Sequence, residues 1–114
     1  MSNEFVVPTD EELTAALGVV PESNDDIGVR VLHLKSGDGF DVRVTTDALG
    51  RSVTVEVNRD RHVLMRIERE GAISMTVLDQ SPAISVEFQT PATEGGLTID
   101  LRPALQIAEH ELLV

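Results

Sequence analysis

Cysteine, tryptophan and tyrosine are absent from the 114-residue chain, and phenylalanine occurs three times. Without cysteine there is no disulfide, no thiolate zinc site and no cysteine nucleophile, a composition that fits a cytoplasmic protein. Sugar stacking, base stacking and aromatic binding hot spots favour rings that this chain barely has. Lysine occurs once, at Lys35, beside eight arginines, and these nine cations stand against 20 acidic residues for a formal charge of −11. Such an anionic surface repels phosphate backbones and anionic lipid, so neither nucleic acid nor membrane is expected as a partner. A basic protein would be steered toward it. The same charge keeps a small domain soluble without recognising anything.

Long apolar runs are also missing: none approaches the roughly 18 residues of a membrane-spanning helix. The opening MSNEFVVPTDEEL has neither the basic region nor the apolar region of a secretory signal. Signatures of chemistry are equally scarce. His33, His62 and His110 fall in different predicted elements and share no metal-ligand spacing. The SGDGFD stretch, with Asp38 and Asp41, lacks the ligand spacing of a calcium loop and reads as a hairpin turn. No nucleophile elbow and no phosphate-binding glycine loop occurs. No metal, no cofactor and no enzymatic activity are therefore expected. The residual enzymatic reading is His33 or His62 beside a carboxylate.

The positive signals describe a mainly β single domain of residues 1–114. Residues 1–27 read as a short helix and linker, 28–101 as a β-meander, and 102–114 as a helix or strand. Thr9 is the N-cap of the helix, Glu12 its capping-box partner and Gly18 its stop, with Leu13, Ala16 and Leu17 on the apolar stripe. From residue 28 the apolar period becomes two, giving strands at 28–35, 40–46, 52–58, 62–68, 72–78, 83–90 and 97–101. Turns at Asp47–Gly50, around Asp60, at Arg69–Gly71 and around Gln80–Pro82 would join them as consecutive hairpins. These would set Val44 opposite Val53, Val57 opposite Val63, Met65 opposite Met75 and Val77 opposite Ile84. The expected architecture is one antiparallel meander of six or seven strands, strongly curled into a half-barrel or barrel. A second copy stacked on the apolar face, giving a homodimer, is the other way to cover it. In strand 28–35 the apolar parity changes between Val31 and Leu32, so either a bulge sits there or both faces are covered. The tail from Pro103 has the composition of a helix and the alternation of a strand.

On the polar face these registers predict a row of Arg43, Thr54, Arg66, Ser74, Glu87 and Thr98, beside a second row containing Glu56. Arg66 between Thr54 and Ser74 would present its guanidinium fork to an anion or a partner carboxylate. The small side chains near Ser74 leave a flat strip on which a partner can lie. Arg43, Glu56, Arg66, Ser74 and Glu87 are the candidate partner-binding residues. The function best matched is a non-enzymatic accessory or interaction protein binding another protein through its polar sheet face or acidic surface. Small toxin-neutralising, chaperone-like and regulatory proteins belong to that class. The alternative is a carrier of a small apolar ligand, with Met65 and Met75 lining a cavity inside the curled sheet.

Overall fold

The computed structural model describes residues 4–23, 27–78 and 82–113. The helix forms where its caps predict. In α1 (Asp10–Leu17) the Glu12 N–H donates to Thr9 Oγ1 at 3.1 Å and the Thr9 N–H donates to Glu12 Oε1 at 3.0 Å. The bond from the Thr9 backbone holds the Glu12 carboxyl below its ordinary range. Gly18, at φ 74°, ends the helix in the left-handed conformation.

Nine strands follow among the described residues: β1 (Glu22–Ser23), β2 (Val29–Lys35), β3 (Asp41–Asp47), β4 (Ser52–Arg59), β5 (His62–Glu70), β6 (Ala72–Leu78), β7 (Ala83–Gln89), β8 (Thr93–Asp100) and β9 (Gln106–Leu113). They make two antiparallel sheets in sequence order, β1 to β5 (sheet one) and β6 to β9 (sheet two). The single curled meander is thus corrected to two sheets, neither closed nor strongly curled. Their inner faces meet in one core. Leu32, Val42, Val44, Val53 and Val55 come from sheet one and Ile84, Val86, Leu97 and Ile99 from sheet two, all under 2% exposed. The apolar face expected to need curling or a second copy is covered by the chain's own other half.

Gly71 makes the division. The expected hairpin at Arg69–Gly71, pairing Met65 with Met75, does not form. Gly71 adopts the left-handed conformation, φ 81°, yet redirects the chain from one sheet into the other. The Ala72 N–H donates to Arg51 O at 3.0 Å, beside sheet one. Gly71 O accepts from the Gln89 N–H of sheet two at 2.8 Å. Alternation alone cannot tell this bend from a hairpin, because either path keeps Ile67 and Met75 facing apolar neighbours.

Two other hairpins form with registers two residues from those expected. Asp47 pairs with Ser52, and Val44 lies opposite Val55 instead of Val53. The four-residue loop begins one position later than expected, Asp47 Oδ1 accepting from the Gly50 N–H at 2.9 Å and Arg51 taking a positive φ. In the next hairpin Asp60 and Arg61 are both left-handed, a two-residue turn, and a register shift between Val57 and Asn58 sets Val57 opposite Met65. Val77 opposite Ile84 agrees with expectation, and along the same pair of strands Met75 faces Val86 and Phe88 faces Ala72. The turn residues 79–81 lie outside the described ones. β2 runs through Val31 and Leu32 without a bulge, and Val29 is buried despite its outward parity. The tail is a strand, β9, paired with β8 along its whole length. Satisfying the open edge of β8 outweighs the helix propensity of the tail.

Each remaining edge is handled differently. The N-terminal segment covers β6: the Val6 N–H donates to Ile73 O and Val6 O accepts from the Met75 N–H, while Phe5 and Leu13 enter the core. At the far end a clasp joins the sheets. The Gly37 N–H donates to Leu101 O at 2.8 Å, Arg102 Nη1 to Lys35 O at 2.9 Å, and the Leu105 N–H to Asp38 Oδ1 at 3.0 Å. The Ser36 hydroxyl and that Leu105 N–H pull the Asp38 carboxyl below its ordinary pKa.

Candidate functional site

The two outer faces carry the candidate partner-binding residues, and they split between the sheets. Arg43, Glu56 and Arg66 lie side by side on β3, β4 and β5. The two-residue register changes bring Glu56 between the arginines, in the place expected for Thr54. Glu56 Oε2 is 3.1 Å from Arg43 Nη2 and 3.3 Å from Arg66 Nη1, and Arg66 Nη2 is 2.7 Å from Glu68 Oε1. The hydrogen bonds that Arg66 donates to Glu68, and that carboxylate's charge, raise the Arg66 pKa further. Ser74 is on the other sheet. Arg66 therefore directs its fork at the carboxylates of its own sheet. Lys35 with Asp41 at 3.6 Å and His33 with Glu22 at 3.1 Å continue the pairing across sheet one.

Sheet two presents a different face. Ser74 and Glu87 are cross-strand neighbours, with Ser74 Oγ donating to Glu87 Oε2 at 3.3 Å. Gly96 lies beyond Glu87 on β8 and His110 beyond Gly96 on β9; one step along, Gln89, Glu94 and Leu112 form the adjacent row. A groove of about 400 Å³ lies along these rows, bordered by Glu87, Glu94, Gly95, His110 and Leu112. The His110 ring lies over Gly96 so closely that a Cβ there would collide with it. Among the described residues no cation lies within ion-pairing distance of Glu87, Glu94 or Asp100.

Met65 and Met75 are in different sheets. Met75 is buried in the shared core, and Met65 stands on the open edge of β5, 41% exposed, beside exposed Val63 and Leu64. His33, His62 and His110 remain apart, and no group of three His, Asp or Glu side chains with metal-binding placement occurs among the described residues.

Sequence reasoning misses Arg69 and the groove. Arg69 points between the sheets, its guanidinium 5.6 Å from the Phe88 ring centre and 3.4 Å from Glu109 Oε2. Its parity with Ile67 is the available signal. The glycine pair in TEGGLT is the available signal, since a glycine inside a strand marks the close approach of another group, here the His110 ring over Gly96.

No protein-family model and no curated protein matches the chain. Among solved structures, the fold is similar to that of a chain in a contact-dependent growth inhibition toxin–immunity protein complex from Klebsiella pneumoniae 342. The TM-score is 0.78 at 16% identity, over 94% of this chain and 96% of that one.

Proposed function

We propose that this chain is a non-enzymatic, cytoplasmic protein that binds and neutralises a toxin, the inhibitory member of a toxin–immunity pair. The observation that carries this reading is the end-to-end likeness to a chain of such a complex. Of the two roles in a pair, the inhibitory one needs a complementary surface and no chemistry. A charge of −11 and two rigid sheet faces suit it, whereas separated histidines and self-paired carboxylates on sheet one do not suit a catalyst. A preformed antiparallel frame loses little conformational freedom on binding, and excess negative charge speeds encounter with a basic partner. Inhibition then consists of covering the partner's working surface.

Affinity capture with the full chain, from the cells that make it, tests the reading. The expected result is a stoichiometric basic protein that arrests growth when expressed alone and no longer does so when this chain is co-expressed. Recovery of no stoichiometric partner, or of one whose expression is harmless, would reject it.

A further inference from the structure

We infer that the partner docks on the outer face of sheet two, across β7, β8 and β9, and inserts a lysine or arginine side chain into the groove between Glu87 and Glu94. This localises the protein-binding reading above and rests on it.

Charge is the first reason. Residues 29–70 hold eight basic against seven acidic side chains, whereas residues 72–113 hold one basic, Arg102, against six acidic. On sheet one the outward carboxylates Asp41, Glu56 and Glu68 are already paired. On sheet two Glu87 and Glu94 face no cation among the described residues, so a partner's cation forms new pairs without breaking old ones. Residues 1–28 hold seven acidic and no basic side chains, of which Glu12 closes the capping box, Asp10 is 3.4 Å from Arg30 and Glu22 is 3.1 Å from His33.

Shape is the second reason. Glu87 lies opposite Gly96, and Glu94 is two residues along the same strand. Such diagonal neighbours stand roughly 7–8 Å apart, a span one guanidinium or ammonium bridges. The groove beside the His110 ring admits the inserted chain, and Leu112, 65% exposed, offers an apolar wall for its methylene stem. The rival apolar surface, Val63 to Met65 on the β5 edge, is flanked by Arg59 and Arg61, which repel a cationic partner.

Two measurements test the placement. Isotope-labelled full chain is titrated with a hexa-arginine peptide and followed by NMR. Saturable shifts centred on Glu87, Glu94, Gly95, Gly96 and His110 are expected; shifts centred on α1 or sheet one, or none, overturn the inference. The captured partner is then bound to charge-reversed variants. Glu87→Lys with Glu94→Lys is expected to weaken binding at least about 100-fold, and Arg43→Glu with Arg66→Glu by less than about threefold. The milder pair Glu87→Gln and Glu94→Gln, checked for wild-type circular dichroism, guards against misfolding and is expected to weaken binding in the same direction. The reverse ordering overturns the docking face while leaving protein binding intact. Failure of the wild-type chain to hold any partner removes the underlying reading instead.

Discussion

Sheet one and sheet two share one core but treat their outer surfaces oppositely. Sheet one knits its charges into a ladder from Arg43 through Glu56 and Arg66 to Glu68. Sheet two sets Glu87 and Glu94 along a groove bordered by His110 and Leu112, with no cation within ion-pairing distance of either among the described residues. The charge is therefore uneven rather than a uniform coat: the region of β2 to β5 is close to neutral, residues 1–28 hold seven acidic and no basic side chains, and residues 72–113 hold six acidic against one basic. Solubility alone does not require such segregation, because dispersed charge serves it equally well. A face whose ion pairs are already made is poor ground for a new charged partner, and a face whose carboxylates are free is better ground.

The largest test of the comparison asks whether the sheets are one cooperative unit. Leu32 in sheet one and Ile84 in sheet two are both almost fully buried in the common core. Leu32→Ala and Ile84→Ala should each cost about 2–5 kcal/mol. Urea unfolding should remain a single transition in both variants. A biphasic curve for either, with one sheet persisting after the other has melted, would break the picture of a shared core.

A smaller loss is expected at the clasp. A Cβ on Gly37 would collide with the Pro103 carbonyl oxygen, so Gly37→Ala must push the β2–β3 loop away from the β8–β9 connection. The overpacking should cost roughly 1–3 kcal/mol, read as a lower urea midpoint. An unchanged midpoint would mean that this end of the molecule yields freely. Asp38 gives the same contact a pH dependence. Its folded pKa lies below the ordinary value of 3.8, so its contribution is complete above that value and is lost as pH falls through the lowered one. The stability difference between wild type and Asp38→Asn should therefore be constant near neutrality and shrink as pH falls below 3.8. A difference that grew on acidification would give Asp38 the opposite sign.

Much of this architecture is legible in the residues, and the failures share one cause. The helix is readable because Thr9, Glu12 and Gly18 act locally. The strands are readable because inward valines alternate with polar residues. What alternation cannot carry is the path between strands. Each hairpin register that differs from expectation on sheet one differs by an even number of residues, which preserves the inward face and leaves no trace in the pattern: Val44 faces Val55 rather than Val53, and Val57 faces Met65 rather than Val63. The outer face suffers most, because its rows depend on register alone. The expected registers put Glu56 in the wrong row and hide its bridging role. Gly71 has the expected backbone conformation and a different consequence, since a left-handed glycine serves a hairpin and a sheet-to-sheet bend equally. The choice belongs to the core: two stacked sheets bury apolar faces that one open sheet would expose.

The smallest expected effect separates the outer faces most directly. Glu56 is nearly buried and receives both Arg43 and Arg66, so Glu56→Gln leaves two guanidiniums beside each other without the carboxylate between them. A loss of up to about 1 kcal/mol is expected, because the arginines themselves remain partly solvated. Glu87→Gln removes a charge that, among the described residues, has the Ser74 hydroxyl as its hydrogen-bond partner and Glu94 as a like-charged neighbour. That change should be neutral or slightly stabilising, within about 0.5 kcal/mol. Salt should move the two variants differently. Sodium chloride screens the attraction that Glu56 supplies and the repulsion that Glu87 supplies, so both differences from wild type should shrink toward zero from opposite sides. Equal losses for the two substitutions would mean that Glu87 serves the fold as much as Glu56 does. The carboxylates of sheet two would then no longer be free for a partner.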